Sequence, residues 1–107
     1  MTQQLPPLVD RALRRLIHAF APEKILLFGS WAKGTSHLGS DIDLLIVADL
    51  PGDAMVHSRR ARQLAADSFP RIDIVFATPE EVASADMSKS PFLLSILGTG
   101  IVVYSKT

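Results

Sequence analysis

The chain has 107 residues, 48% of them hydrophobic, enough for one core but not for a core and a separate substrate-holding lobe. Eleven Lys and Arg cancel eleven Asp and Glu, so the overall field gives no reason to expect nucleic acid or an anionic membrane as a default partner. No cysteine means no disulfide framework and no thiolate metal site. No signal-peptide pattern or long apolar span is present, so the expectation is a soluble, cytoplasmic single domain over residues 1–107.

Leu8, Val9, Ala12, Leu13, Leu16, Ile17 and Phe20 form an amphipathic helical stripe after Pro6-Pro7, ending near Ala21-Pro22. Arg11, Arg14, Arg15 and His18 lie on its other face, as a solvated surface or a partner-binding one. Lys24 to Phe28 is short, apolar and bounded by Pro22 and Gly29, which predicts a buried strand. Gly29-Ser30 then makes a small-residue turn into a helix-compatible segment. After a Gly/Ser/Thr-rich loop, Asp41 to Val47 reads as a second strand.

Side chains alternate along a strand, so Asp41 and Asp43 share one face while Ile42, Leu44 and Ile46 line the other. Leu45 and Val47 continue the aspartate face inward, so the carboxylates stand at the start of a strand buried on both sides beyond them. A second helix is expected from an Asp53 N-cap to about Ser68, basic through Arg59, Arg60 and Arg62 and stopped by Pro70. Arg71 to Phe76 follows as a third strand, with Asp73 opposite the Ile72, Ile74 and Phe76 face. Consecutive strands joined through one helix are often neighbours, which would set Asp73 beside the Asp41/Asp43 pair.

Thr78-Pro79-Glu80-Glu81 has the form of a capped helix start. A further helix runs from about Ser90 through Leu97, with Gly98 as its stop, and Ile101 to Tyr104 is a last strand. The fold class is α/β (α+β), a small mixed β-sheet flanked by helices.

Three carboxylates on one sheet edge repel by several kcal/mol at an effective dielectric of about 20 and separations of about 4 to 5 Å. A cation offsets that cost. Oxygen-only ligands suit Mg2+, which keeps waters and takes its remaining ligands from substrate phosphates. A pair of such ions would activate an attacking oxygen and stabilise a leaving pyrophosphate. Gly29 lets a phosphate approach the backbone, Ser30 adds a hydroxyl and an amide, and Lys33 is positioned to add a charge. A Gly-Ser turn is usually only a turn, and an Asp-x-Asp at a strand start serves as often as a solvated edge. Asp73, however, repeats the Asp-Ile pattern inside a second apolar strand, where β propensity disfavours Asp. Trp31 reads as a cap over the turn or a partner patch, Tyr104 as packing, and His18, His37 and His57 lack ligand spacing.

Gly29-Ser30, ten intervening residues, Asp41-Ile42-Asp43 and then Asp73 in an apolar strand resemble the signature of the DNA polymerase beta-like nucleotidyltransferase superfamily. More narrowly, Phe28-Gly29-Ser30-Trp31-Ala32-Lys33-Gly34 and the closing Gly100-Ile101-Val102-Val103-Tyr104 resemble the minimal nucleotidyltransferases. The resemblance implies a polymerase beta palm-like fold and transfer of a nucleoside monophosphate to a hydroxyl with two Mg2+ ions. It implies that Asp41 and Asp43 hold both metals, that Asp73 holds the catalytic one and helps deprotonate the acceptor, and that Gly29, Ser30 and Ser40 receive the triphosphate. Lys33 stands where many members carry Arg, and Lys lacks the bidentate fork. Minimal members are commonly antitoxins of small helical HEPN ribonuclease toxins, and some adenylylate a toxin tyrosine from ATP. The leading expectation is therefore a Mg2+-dependent protein adenylyltransferase antitoxin whose partner is a HEPN toxin. The alternatives are a nucleotidyltransferase acting on an aminoglycoside-like small molecule and a non-catalytic antitoxin that works by contact alone.

Overall fold

The structure, a computed structural model, describes residues 5–37 and 39–106. In chain order its elements are α1 (Pro7–Phe20), β1 (Lys24–Phe28), α2 (Ser30–Lys33), β2 (Ile42–Val47), α3 (Ala54–Leu64), β3 (Ile72–Ala77), α4 (Pro79–Ala83), α5 (Pro91–Thr99) and β4 (Ile101–Ser105). The four strands form one mixed sheet in the order β3-β2-β1-β4. β1 is antiparallel to both β2 and β4, and β2 runs parallel to β3.

The strand alternation divides the core in two. Ile42, Leu44 and Ile46 of β2 pack with Ile25 and Leu27 of β1 under the apolar faces of α1 and α3. On the opposite face Leu45 and Val47 join Leu26, Ala77 and Ile96 of α5. β2 is thus covered on both sides, which is why its sequence is an unbroken apolar run after Asp43. Burying each of its Leu and Ile side chains is worth about 1.5–3 kcal/mol, and this central strand fixes the register of both neighbours. Trp31 and Tyr104 pack against the first core.

Strand ends shift by one residue, with β2 starting at Ile42 so that Asp41 lies outside it and β3 running Ile72–Ala77, and two helix ends differ further from the sequence expectation. α3 ends at Leu64 and not near Ser68, well before Pro70. Arg15 of α1 explains this: its guanidinium donates to the Leu64 carbonyl (3.3 Å) and to Asp67 (2.9 Å), while Arg11 donates to Asp67 at 2.7 Å. Part of the charged face of α1 is therefore spent on the end of α3 and is neither purely solvated nor wholly available to a partner.

α5 runs through Gly98 to Thr99, and Gly100 caps it. Gly100 N–H donates to the Ile96 carbonyl at 2.7 Å, and a Cβ on Gly100 would lie 2.6 Å from that oxygen. Close backbone approach, and not a left-handed turn at Gly98, sets where this helix stops.

Candidate active site

Asp43 and Asp73 are register partners on the parallel strands β2 and β3, so their side chains leave the same face of the sheet side by side. Asp41 lies just outside β2, exposed, and contributes its charge to the same corner. Across the antiparallel pair on the other side of β2, Asp43 faces Phe28, the residue before Gly29. The two adjacent pairings bring all the motif residues except the loop to one end of the sheet.

Gly29 adopts φ +75°, and a Cβ there would lie 2.3 Å from Asp43 Oδ2. Any side chain at position 29 would therefore collide with the Asp43 carboxylate. Gly29 N-caps the short α2, whose first intrahelical bond runs from Lys33 N–H to Gly29 O (3.1 Å). The N–H groups of Ser30, Trp31 and Ala32 precede that bond and have no acceptor within the helix. Backbone N–H groups of this kind can donate to an anion, and they adjoin the Asp43 carboxylate.

Ser40 closes the loop. Its Oγ accepts the His37 N–H (2.9 Å), its N–H donates to the His37 carbonyl (2.9 Å), and its own carbonyl accepts Trp31 Nε1–H (3.0 Å). Trp31 thus ties α2 to the residue just before Asp41, and the Ser40 hydroxyl keeps its proton to donate. Lys33 is exposed at the C-terminal end of α2 and has no ion-pair partner among the described residues.

Burial raises the Asp43 carboxyl above the ordinary carboxylate range, and the charges of Asp73 and Asp41 add to the effect. Among the described residues no group of three or more His, Asp or Glu side chains is arranged to hold a metal ion. Asp73 is turned toward the Arg71 guanidinium, 3.4 Å away. The donor set nonetheless fits magnesium: it is all oxygen, it is open to further ligands, and its inner carboxylate carries uncompensated negative charge. Arg71 was not singled out in the sequence, although it precedes Asp73 by two residues and so shares its side of an alternating strand.

A cavity of about 650 Å³ adjoins this corner between α3 and β3, with Asp73, Arg62 and Arg71 in its wall. A smaller one of about 240 Å³ opens between α2 and α5, lined by Phe28, Gly29, Lys33, Phe92, Ser95 and Ile96 together with Thr99. Of the basic residues of α3, only Arg62 reaches either cavity, while the Arg60 guanidinium sits 5.7 Å from the Phe20 ring centroid.

The sequence profile of the nucleotidyltransferase domain matches residues 9–94, a span that contains Gly29-Ser30 and all three aspartates. The chain belongs to the nucleotidyltransferase domain family. Among solved structures, this nucleotidyltransferase domain is similar to a toxin-antitoxin crystallised with AMP-PNP, at 24% identity and a TM-score of 0.62, covering 92% of this chain and 74% of that one. It is also similar to the MntA-HepT toxin-antitoxin (20% identity, TM-score 0.57, 94% and 74% covered). A Sulfolobus solfataricus protein assigned as a nucleotidyltransferase matches at 18% identity and a TM-score of 0.59, with 92% and 78% covered. At these identities the likeness establishes the fold, a four-stranded mixed sheet flanked by helices. Nothing among curated protein sequences matches the chain.

Proposed function

We propose that this nucleotidyltransferase domain is the antitoxin of a toxin-antitoxin pair and neutralises a HEPN toxin by transferring AMP from ATP to a toxin hydroxyl, a tyrosine in the first instance. The observation that carries the reading is the register pairing of Asp43 with Asp73 beside a glycine turn packed against the Asp43 carboxylate. The toxin-antitoxin structures of the same fold, one of them with AMP-PNP, support the choice of partner and nucleotide.

In this reading Asp41, Asp43 and Asp73 hold two magnesium ions, whose charge lowers the barrier to forming the nucleophile and to releasing pyrophosphate. Gly29, Ser30 and Ser40 receive the triphosphate through backbone N–H groups and hydroxyls, and Lys33 adds a mobile positive charge at the far end of α2. The acceptor oxygen attacks the α-phosphorus, forming one P–O bond, and the bond to the β-phosphate breaks with its electron pair leaving on pyrophosphate. Asp73 takes the hydroxyl proton. The Arg71 guanidinium lies 3.4 Å from Oδ1 of Asp73, which leaves Oδ2 for that proton.

The test is to incubate the protein with ATP, magnesium and a candidate HEPN toxin and to follow the intact mass of the toxin. A gain of one or more AMP units, absent with Asp41→Ala/Asp43→Ala, is the expected result. Full neutralisation by that double variant with no mass change would replace transfer by contact alone.

A further inference from the structure

The cleft between α2 and α5 has features that the phosphate and metal chemistry leaves unused. It opens on the face of the sheet that carries Asp43, because Phe28 and Asp43 are cross-strand partners and share that face. One wall is the phosphate turn itself, Gly29 with Lys33; the other is α5, with Phe92, Ser95 and Ile96. Phe92 is 59% exposed, unusual for an aromatic side chain, and meets the Phe28 ring edge-on at 5.8 Å between centroids. Ser95 Oγ has no hydrogen-bond partner among the described residues, whereas the Thr99 hydroxyl is held by the Ser95 carbonyl. An apolar aromatic wall, one uncommitted hydroxyl and a cation lie side by side.

Size narrows what the cleft accepts. Pockets that enclose a whole drug-sized ligand run to about 300–1,000 Å³. At about 240 Å³ this one suits a single heterocycle whose remainder lies outside. A nucleotide with its phosphates along the Gly29 turn has such a heterocycle to place, and α5 is the wall that the turn faces across the cleft.

We propose that the α2–α5 cleft is the nucleobase subsite, with the base of a nucleoside 5′-triphosphate stacked on Phe92, its edge at Ser95, and Lys33 at the passage from base to phosphates. This assignment rests on the nucleotidyl-transfer reading and extends it to residues outside the Gly-Ser and Asp motifs. Stacking tolerates any base, so Phe92 supplies affinity and Ser95 only a modest preference.

The test is titration calorimetry of the whole chain without any protein partner, in magnesium, using AMP-PNP and inorganic tripolyphosphate as two probes. Phe92→Ala weakens AMP-PNP by about 5- to 150-fold, the span expected for losing one stacked base, and leaves tripolyphosphate unchanged. Phe92→Tyr restores AMP-PNP binding, and an unchanged melting temperature of each variant confirms that the exposed position is not structural. AMP-PNP affinity unaffected by Phe92→Ala, or equal losses for both probes, overturns the subsite while the phosphate site stands. If the wild type binds neither probe, the phosphate site fails, and this subsite with it.

Discussion

At Asp43, stability and function pull in opposite directions. Its carboxyl is raised by burial, by Asp73 and by Asp41, so ionising it at neutral pH costs folding free energy that the unfolded chain does not bear. Asp43→Asn should therefore raise the melting temperature of the metal-free protein while reducing nucleotidyl transfer to background. Paired thermal melts and transfer assays check both halves; a lower melting temperature would mean that Asp43 is held by favourable contacts. Gly29→Ala acts in the opposite sense. It forces an alanine to φ +75°, ψ −152° and its Cβ into the Asp43 carboxylate, costing about 1–3 kcal/mol in backbone strain alone. Making the change in an Asp43→Ala background should recover the steric part of that loss, and a double-mutant cycle measures it. Additive effects would show that the two residues do not touch.

The elements differ in how far the sequence foretells them. β1, β2 and β3 are legible because each is an apolar run with clear stops, and the Asp-Ile repeats foretell the face that Asp43 and Asp73 share. The β2–β3 adjacency follows from the general tendency of strand–helix–strand units, while their register does not follow from any residue. The end of α3 was hidden because it depends on Arg15 and Arg11, about fifty positions away in sequence and adjacent only after folding. Desolvation pushes the Asp67 carboxyl up, but the Arg15 hydrogen bond and the charges of Arg15 and Arg11 outweigh it and hold the pKa below the ordinary value of 3.8. Its stabilising contribution is thus present above that value and lost as the pH falls through the lower folded one. Asp67→Asn should melt below the wild type at pH 7, with the difference closing as the pH falls below 3.8; a difference constant with pH would show that the ion pairs contribute nothing. α4 was fully legible: Thr78 and Glu81 make the reciprocal capping box that their spacing announces. Thr78→Ala should cost about 0.5–2 kcal/mol in denaturant unfolding, and no measurable loss would mean that α4 is held by packing alone.

At the scale of the molecule, the zero net charge leaves local geometry to organise the site. Among the described residues no helix is long and apolar enough to cross a membrane. One end of the sheet gathers an acidic corner, the Gly29 turn and two cavities, one edged by Arg62 and Arg71 beside Asp73 and one by Phe92 beside Gly29. In the proposed reading the nucleotide spans the second cavity and the turn, while the acceptor approaches Asp73 from the side of the first. Phe92 was beyond the sequence argument because it belongs to a cavity, a property of elements assembled, whereas the place of Arg71 beside Asp73 was available in the strand alternation.

The central claim is that the α-phosphorus of ATP is the atom transferred at this corner. The most direct measurement offers the protein, magnesium and the toxin partner ATP radiolabelled either at the α-phosphate or at the γ-phosphate, with Asp43→Asn in parallel. The expected result is that the partner acquires α-label and no γ-label, and that Asp43→Asn abolishes the transfer. Incorporation of γ-label would make the chemistry phosphoryl transfer, and α-label that persists in Asp43→Asn would place the reaction away from these aspartates; either result contradicts the account.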